Sequence, residues 1–290
     1  MFLTLNDPEG SPIKFKISKF PDGQQTVDVT PWDVQRYSSN IIQINSRLTS
    51  FKDLELIICA NQALKNNGAE KLSLYVPYFL GARSDRQFQE GGVNYLKQVI
   101  CPIINSQNFH SVHVLDPHSD VLEACLNNYH KEDNFKLVKE ALTNIDNRDG
   151  AQERICLVSP DAGAYKKIFD VAKKFGIRNI ITATKVRDIV TGNIIRTEVP
   201  DLEEMEGKMF VIIDDICDGG RTFVELAKVI KDNTHNAKIY LVVTHGIFSN
   251  WYEDLRPVID QIFTTNSVKD IIGVPGTPND EPYVNQLKVI

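Results

Sequence analysis

Residues 208–231 read KMFVIIDDICDGGRTFVELAKVIK, and this stretch decides the class of fold. The apolar run 209–213 is short and rich in β-branched residues, which is typical of a strand buried on both faces. Two carboxylates, Asp214 and Asp215, follow it directly, and a glycine-rich turn then leads into an amphipathic helical pattern. We therefore predict a buried strand that ends at residue 213, an acidic pair and a helix, which together form one βα unit of an α/β domain.

The turn after the acidic pair suits an anion. Residues 218–221 (DGGR) form this turn, and Thr222 and Glu225 have capping-box spacing, so we predict a helix capped by Thr222. The amides of such a turn and the positive end of a helix attract phosphate, while adjacent carboxylates bind sugar hydroxyls or a divalent cation. The pattern suits a sugar-phosphate site, and an ordinary acidic strand end explains it equally well. The P-loop motif is not in the sequence.

Composition limits the classes of function. The chain has 290 residues, enough for one large or two medium domains, and it is 42% hydrophobic and 24% charged. A net charge of −6 without a basic block argues against sequence-independent binding to nucleic acid. No apolar run reaches membrane-spanning length, and the five cysteines are scattered without C-x-x-C spacing. We expect a cytoplasmic protein with reduced thiols that binds neither nucleic acid nor membrane.

The rest of the chain repeats the arrangement of the opening stretch. Apolar runs that read as strands alternate with helical patterns, and most of them end in polar residues. Because the carboxyl ends of parallel strands meet at one edge of a sheet, we expect ligands along these edges. The polar or turn-forming segments, in chain order, are FPDGQ (20–24), PYFLGARSDR (77–86), DPHS (116–119), SPDAG (159–163), TKVR (184–187) and THGIFS (244–249).

A charged segment, residues 131–154, separates the two halves. Its pattern predicts a helix over 132–143 and then a loop, so we place the domain boundary there. The predicted domains are 1–146 and 147–290.

Each polar segment has a plain structural explanation when it is considered alone. Pro-Asp-Gly is ordinary hairpin-turn chemistry, and arginines after a strand are more often surface ion pairs. A single loop histidine such as His118 is usually just exposed, although its imidazole is able to ligate a cation. The order of the segments is therefore more informative than any one of them.

In that order the segments resemble those of the phosphoribosyl pyrophosphate synthetases (ribose-phosphate diphosphokinases). FPDGQ resembles the family's F-S-[ND]-x-E adenine loop, with Gln24 in place of Glu, and PYFLGARSDR resembles P-Y-F-x-Y-A-R-Q-D-R, which grips ATP. DPHS resembles D-L-H-A, SPDAG is identical to the family pattern, and THGIFS matches closely. Lys185 and Arg187 stand where the catalytic flexible loop carries K-x-R. The chain is identified as a short, divergent member of this family.

The resemblance implies a fold, an assembly and a reaction. The fold is α/β, with two phosphoribosyltransferase-like domains, each a mainly parallel sheet flanked by helices. The assembly is a homodimer or higher homo-oligomer. The reaction transfers the β,γ-diphosphate of ATP to the anomeric hydroxyl of a ribosyl phosphate and releases AMP, with Mg²⁺ as the cofactor. Positioning and charge neutralisation are what such a transfer requires.

The resemblance also implies roles for particular residues. The catalytic residues are Lys185 and Arg187, which neutralise the migrating diphosphate, and Asp218, which assists the attacking hydroxyl. The implied metal ligands are His118, Asp161, Asp214 and Asp215. The implied ATP-binding residues are Phe20, Asp22, Gln24, Arg83, Ser84, Asp85, Arg86 and His118. The implied ribose- and phosphate-binding residues are Asp214, Asp215, Asp218, Gly219, Gly220, Arg221 and Thr222.

One departure from the family bears on the acceptor. Where the family has T-x-G-T, this chain has Gly219-Gly220-Arg221-Thr222, so a threonine has become Gly219 and a glycine has become Arg221. Either the turn still binds ribose 5-phosphate (product PRPP), or it admits a larger 5-substituted ribose such as ADP-ribose, which would suit NAD salvage. The sequence also leaves open a catalytically silent regulatory subunit and an ordinary phosphoribosyltransferase. The retained Lys185 and Arg187 argue against the silent subunit, and the ATP-type segments argue against the phosphoribosyltransferase.

Overall fold

A computed structural model describes the chain as two compact units, each built on its own parallel sheet. The first unit comprises Met1–Asp133 with Val289–Ile290, and the second comprises Asn134–Lys288. The residues that the structure describes are 1–149, 152–187, 194–200, 202–205, 207–276 and 282–290. Within those ranges no helix is both long enough and apolar enough to cross a membrane.

The first unit holds a five-stranded parallel sheet in the order β1-β4-β5-β6-β7 and a separate antiparallel hairpin, β2-β3. A short π-helical segment, Leu96–Ile100, precedes its third helix. The strands are β1 (Phe2–Thr4), β2 (Phe15–Lys19), β3 (Gln25–Val29), β4 (Ile41–Asn45), β5 (Lys71–Val76), β6 (Ser111–Leu115) and β7 (Tyr129–Glu132). The helices are α1 (Pro31–Arg36), α2 (Phe51–Asn66), α3 (Cys101–Ser106) and α4 (Val121–Cys125).

Helix α2 illustrates how local sequence sets an element. Ser50 accepts a hydrogen bond from the amide of Asp53, and the Asp53 carboxylate accepts one from the Ser50 amide, so the two residues form a capping box. The helix therefore begins at Phe51, two residues before the start at Asp53 that hydrophobic periodicity predicts. Its buried face, which includes Leu54 and Ile57, packs into the single hydrophobic core of the first unit.

The second unit holds a six-stranded parallel sheet in the order β15-β14-β13-β12-β8-β9 and an antiparallel hairpin, β10-β11. The strands are β8 (Ile155–Ser159), β9 (Asn179–Thr182), β10 (Thr184–Arg187), β11 (Ile194–Glu198), β12 (Met209–Cys217), β13 (Lys238–Gly246), β14 (Gln261–Thr265) and β15 (Val284–Leu287). The helices are α5 (Phe135–Asp149), α6 (Tyr165–Phe175) and α7 (Arg221–Asn233). The predicted α/β class with mainly parallel sheets is confirmed.

Both faces of the second sheet are covered. Helix α7 packs in a core with alternate strand residues such as Phe210 and Ile212. Helices α5 and α6 pack in a second core with the residues between them, such as Val211 and Ile213. Central strands buried on both faces read as continuous apolar runs, which is why 209–213 was recognisable as a strand from sequence.

The domain boundary lies earlier than the predicted position between residues 146 and 147. The units divide at Asp133 and Asn134, and α5, which contains the predicted boundary, packs into the second unit. The physical reason is an apolar stripe that the charged composition of the segment conceals. Its buried members are Leu137, Val138, Ala141, Leu142 and Ile145.

Two local predictions in the opening stretch are corrected. Strand β12 does not end at residue 213 but continues to Cys217, because it keeps pairing with β13 beyond the acidic pair. Helix α7 begins at Arg221 with Gly220 as its N-cap and without a side-chain cap, so Thr222 does not form the predicted capping box. Gly220 is in the left-handed conformation (φ 79°), which turns the chain into the helix earlier than the capping pattern indicates.

Candidate active site

The acidic pair lies at the carboxyl edge of the second sheet. Strand β12 pairs with β8 only as far as Ile212, which lies opposite Val158, so Asp214 and Asp215 extend past that neighbour. The Asp215 amide donates a hydrogen bond of 2.9 Å to Oδ1 of Asp214, and the side chain of Asp215 is almost wholly buried. Two carboxyl groups are therefore held side by side in a largely desolvated place.

The electrostatics of the pair disfavour two negative charges. Burial raises the pKa of Asp214 well above its usual value, and the neighbouring charge of Asp215 raises the pKa further. The Lys167 ammonium, on α6, lies 4.0 Å from Oδ1 of Asp215 and partly opposes that rise. Such a pair gains from hydroxyl donors or a bound cation, which is the environment that a ribose or a metal would provide.

The turn after β12 is tied to the segment after β13. The amides of Ile247 and Phe248 donate to the carbonyl oxygen of Cys217 at 2.8 and 3.1 Å. The hydroxyl of Ser249 donates to Oδ1 of Asp218 at 2.7 Å, and the Ser249 amide donates to the Asp218 carbonyl at 3.2 Å. The two neighbouring strand ends therefore hold Asp218 in a defined orientation beside the acidic pair.

Both glycines of the turn lie where a side chain would be too close to a neighbouring residue, and Gly220 also has a positive φ. A Cβ at Gly219 would lie 3.3 Å from Nδ2 of Asn250, which is tighter than an ordinary contact. Gly220 combines its positive φ with a close approach to Leu255, whose side-chain atoms would lie 3.3 Å from an added Cβ. The backbone of the turn thus comes close to its neighbours at the two glycines, which carry no side chain.

The side chain of Arg221 is exposed to solvent. Its side chain is 83% exposed, and its Nε donates to Oε1 of Glu225 at 2.7 Å along the first turns of α7. An exposed i,i+4 pair of this kind contributes only about 0.3–0.5 kcal/mol, so an anionic ligand is able to compete for the guanidinium. Thr222 follows within the first turn of α7 and is partly buried.

Asp161 orders its own loop at the end of β8. Its Oδ1 accepts hydrogen bonds of 3.1 Å from the amides of Gly163 and Ala164, and its carbonyl oxygen accepts one of 2.7 Å from the hydroxyl of Ser159. These bonds lead the chain into α6, whose N-cap is Ala164. The residue therefore has a structural role in addition to the metal-binding role that the resemblance implies.

Lys185 and Arg187 lie on β10 of the β10-β11 hairpin, in which Lys185 pairs with Thr197. Only the backbone of these two residues belongs to the described part of the chain, and residues 188–193 lie outside it. Their catalytic roles stay predictions.

The predicted ATP-binding residues all lie in the first unit. FPDGQ forms the turn of the β2-β3 hairpin: Phe20 is exposed, and the Gln24 amide donates to Oδ1 of Asp22 at 3.1 Å. After β5, Arg83 is exposed and the Arg86 guanidinium lies 5.3 Å from the centre of the Phe88 ring.

Backbone bonds hold the loop after β5. The Ser84 amide donates to the Gly81 carbonyl at 2.7 Å, and the Asp85 carbonyl accepts a bond of 2.7 Å from the Asn94 side chain. His118 is exposed in the loop after β6, as its plain structural explanation expects. The first unit thus carries one set of predicted residues on its loops, and the second unit carries the other.

The sequence-based prediction missed three residues near the carboxyl edge of the second sheet. Lys167 pairs with Asp215, Ser249 orients Asp218 and Glu225 pairs with Arg221. Ser249 ends the THGIFS segment and was therefore within reach of motif matching. Lys167 lies on a helix, and only the tertiary structure shows that it approaches the acidic pair.

The carboxylates at the carboxyl edge of the second sheet suit a hard divalent cation that takes only one or two ligands from the protein. Among the described residues no group of three or more acidic, histidine or cysteine side chains forms a ready metal cage. Mg²⁺ characteristically takes one or two carboxylates and completes its octahedron with water and substrate phosphate oxygens. The adjacent carboxyl groups of Asp214 and Asp215 match that requirement, and a cation would relieve the charge repulsion that raises the pKa of Asp214.

Cys217 does not contribute a nucleophile. It is fully buried, and burial raises the pKa of its thiol to about 12, with smaller contributions from Asp214 and Asp218. This agrees with the interpretation of the cysteines as core or loop thiols.

The fold and the acidic edge define an α/β protein of the phosphoribosyltransferase type. The profile of the phosphoribosyl transferase domain matches residues 126–266. A ribose-phosphate pyrophosphokinase of Marinomonas sp. (strain MWYL1) is 28% identical over 254 residues, which cover 87% of this chain and 78% of that protein. A ribose-phosphate pyrophosphokinase of Aquifex aeolicus (strain VF5) is 26% identical over 281 residues, covering 94% and 82%.

The fold agrees with these relationships. The crystal structure of phosphoribosylpyrophosphate synthetase from Mycobacterium smegmatis superimposes with a TM-score of 0.73 at 16% identity, covering 100% of this chain and 94% of that one. These similarities support the resemblance of the chain to the phosphoribosyl pyrophosphate synthetases (ribose-phosphate pyrophosphokinases).

Proposed function

We propose that the protein is a ribose-phosphate pyrophosphokinase-type transferase that moves the β,γ-diphosphoryl group of ATP to the anomeric hydroxyl of a ribosyl phosphate. The hydroxyl oxygen forms a bond to the β-phosphorus, and the bond from that phosphorus to the oxygen shared with the α-phosphoryl group breaks. AMP leaves with that oxygen, and the hydroxyl proton is released. The observation that carries the proposal is the acidic pair beside a glycine-rich helix start at the sheet edge.

The second unit binds the acceptor in this proposal. Asp214 and Asp215 accept hydrogen bonds from the ribose hydroxyls, and the amides of the 219–222 turn face the 5-phosphate at the positive end of α7. Asp218, which Ser249 orients, assists the attacking hydroxyl. Holding the hydroxyl in line with the β-phosphorus is the main contribution, since positioning alone removes much of the barrier to a bimolecular transfer.

The charges of the donor are neutralised by cationic side chains. Lys185 and Arg187 bind the migrating diphosphate. The loops that carry Phe20 and Arg83 bind the adenosine part of ATP, and the exposure of both residues is compatible with that role. By resemblance, His118 and Asp161 would support the Mg²⁺ bound to ATP, which would supply positive charge to the diphosphate oxygens. Asp214 and Asp215 would hold the ribose hydroxyls through a second Mg²⁺.

Ribose 5-phosphate is the first candidate acceptor, because the relatives bear the name ribose-phosphate pyrophosphokinase. A larger 5-substituted ribose such as ADP-ribose is the second, and the geometry of the turn favours it. The turn carries no side chain at Gly219, a threonine there would crowd Asn250, and the exposed Arg221 adds a cation at the start of α7.

The decisive experiment measures AMP release from ATP and Mg²⁺ with no acceptor, with ribose 5-phosphate and with ADP-ribose. We expect release that requires an acceptor. Because Lys185 neutralises the diphosphate in this proposal, a Lys185→Ala variant serves as the matched blank. Absence of release would leave the silent subunit or the phosphoribosyltransferase as the better description, and acceptor-independent release would contradict transfer to a ribosyl acceptor. Light scattering of the same sample tests the proposed homodimer or larger assembly.

A further inference from the structure

Trp251 is an exposed aromatic residue in the segment that holds the turn. Its side chain is 65% exposed, whereas nearby Phe248, Tyr252 and Leu255 are all buried in the second unit. An exposed indole offers an accessible aromatic face on which a flat ligand is able to stack.

Backbone contacts place Trp251 next to the acceptor turn. Ser249 binds Asp218 through both its hydroxyl and its amide, and Asn250 lies against Gly219. Trp251 is the next residue, so its Cα is about 3.8 Å from that of Asn250. Trp251 is therefore one residue away from Asn250, which contacts the turn at Gly219.

The setting of the indole is that of a platform for a flat ligand. Trp251 has φ 55°, a left-handed conformation that bulky residues rarely adopt. The Lys269 ammonium lies 5.3 Å from the centre of the ring, which is within cation–π range. The exposed ring of Trp251 thus has the Lys269 ammonium beside it, and its chain neighbour Asn250 lies against Gly219 of the turn.

A ligand that matches all of these features has a sugar phosphate at one end and an aromatic base at the other. Every nucleobase has a π-face that stacks on tryptophan, and Lys269 and the exposed Arg221 offer positive charge to a linking diphosphate. Ribose 5-phosphate has no base and leaves the indole without a partner.

We propose that Trp251 is a specificity-determining residue that stacks on the base of a nucleoside-diphosphate-linked ribose, of which ADP-ribose is the example to test. The proposal rests on the proposed function and names the acceptor class of the same site. The ribosyl group at the far end of this acceptor occupies the acidic pair, and its 5-phosphate lies in the Gly219–Gly220 turn.

The kinetic test compares Trp251→Ala with Trp251→Phe, using AMP release with ADP-ribose and, separately, with ribose 5-phosphate. Loss of one stacked base is expected to raise KM for ADP-ribose about tenfold. KM for ribose 5-phosphate should stay within about twofold, and phenylalanine should restore much of the affinity because it also offers a π-face. The unfolding temperature and light scattering of each variant show whether fold and assembly are intact.

A binding test uses the fact that the chain has two tryptophans, Trp32 and Trp251. Trp32→Phe leaves Trp251 as the only tryptophan and changes an exposed residue of the first unit. In this variant, with the ATP site saturated by a non-hydrolysable ATP analogue, ADP-ribose should quench the fluorescence and ribose 5-phosphate should not. Trp251→Phe reports Trp32 alone and should show no quenching.

The outcomes separate the two levels of the proposal. AMP release with ribose 5-phosphate, but an equal KM for ADP-ribose in Trp251→Ala and wild type, overturns the role of Trp251 and leaves the transferase intact. A change of assembly in Trp251→Ala without a change in acceptor preference also overturns it, because the indole is then an interface residue. If neither ADP-ribose nor ribose 5-phosphate supports AMP release, the proposed function itself is contradicted.

Discussion

The two sheets of this protein use their faces differently. In the second unit apolar cores cover both faces, so the strands are apolar along most of their length and polar residues gather at the carboxyl ends. In the first unit most hydrophobic strand residues belong to one core, and most of the alternate positions are polar, with Phe2, Ile41 and Leu115 as exceptions. The polar positions are Thr4, Gln43, Asn45, Ser73, Tyr75, Ser111, His113, His130 and Glu132.

The polar face of the first sheet is internally bonded. The hydroxyls of Ser73 and Ser111 lie 2.8 Å apart, and His113 joins Ser111 at 3.0 Å to Glu132 at 3.1 Å. The ring of His113 also stacks on His130 with centroids 4.8 Å apart.

Because of this difference, a polar residue on a strand has a different interpretation in each of the two sheets. On a strand that is buried on both faces a carboxylate is costly, so the largely buried pair at 214 and 215 is a candidate ligand site. On a strand with one polar face, a histidine or glutamate is an ordinary occupant of that face. The predictions below test this contrast, from the largest expected effect to the smallest.

Lys185→Ala should produce the largest effect. Removing one group that stabilises developing charge lowers kcat by about 10²–10³-fold or more, while the dissociation constant of ATP should change only a few-fold. Steady-state AMP release and equilibrium ATP binding measure the two quantities. Lys173→Ala, on the exposed side of α6, is the control. Turnover within about tenfold of wild type would show that the residue is not catalytic.

Asp214→Asn should lower kcat by about 100-fold and yet stabilise the fold at neutral pH. The pKa of Asp214 is raised in the folded protein, so above the ordinary value of 3.8 the unfolded chain ionises while the folded one retains its proton. The wild type therefore loses stability as pH rises through this range toward the folded pKa, and the asparagine variant lacks that loss.

Thermal unfolding of Asp214→Asn at several pH values, without ligands, checks this expectation. The unfolding temperature at neutral pH should rise by roughly 2–4 °C for each kcal/mol gained in a chain of this size. Asp232→Asn, at an exposed position on α7, is the matched control and should show no such rise. A variant less stable than wild type at pH 7 would contradict the burial argument.

Gly220→Ala should destabilise the turn by about 2 kcal/mol, because it combines a positive φ with the contact to Leu255. Gly176→Ala is the comparison: Gly176 has φ 70° at the end of α6 but nothing within 4 Å of an added Cβ, so it should lose only about 1 kcal/mol. Denaturant unfolding of both variants measures the difference. Equal losses would mean that Leu255 moves aside without cost.

His113→Ala should have the smallest effect. It removes a partly exposed hydrogen-bonded side chain from the polar face of the first sheet, which costs about 1 kcal/mol of unfolding free energy. AMP release should stay within about twofold. A tenfold loss of turnover would break the comparison, because it would place a functional site on that face.

The sequence was most informative where local rules and burial agree. The run 209–213 was readable as a strand because a doubly buried strand is apolar throughout. The FPDGQ segment forms a hairpin turn as Pro-Asp-Gly predicts, and the parallel α/β class follows from the alternation of strands and helices. The motif order indicated the family, which the comparisons support.

Other features depended on contacts between distant residues, and local rules could not supply them. The amphipathic helix 135–149 was assigned to the wrong domain because its charged residues mask the stripe that packs in the second core. The start of α7 was misplaced because a left-handed glycine, rather than a side-chain cap, begins the helix.

The sequence by itself, then, determined the class of fold, the resemblance to the phosphoribosyl pyrophosphate synthetases and the residues from which the acceptor and ATP sites are proposed. Only the tertiary structure decided that β12 continues to Cys217, that Lys167 approaches Asp215, and that Trp251 remains exposed while Phe248 and Tyr252 are buried. The physical reason is that strand pairing, desolvation and exposure depend on which surfaces meet. Residues far apart in sequence supply those surfaces, whereas turn chemistry and hydrophobic periodicity depend on neighbours along the chain.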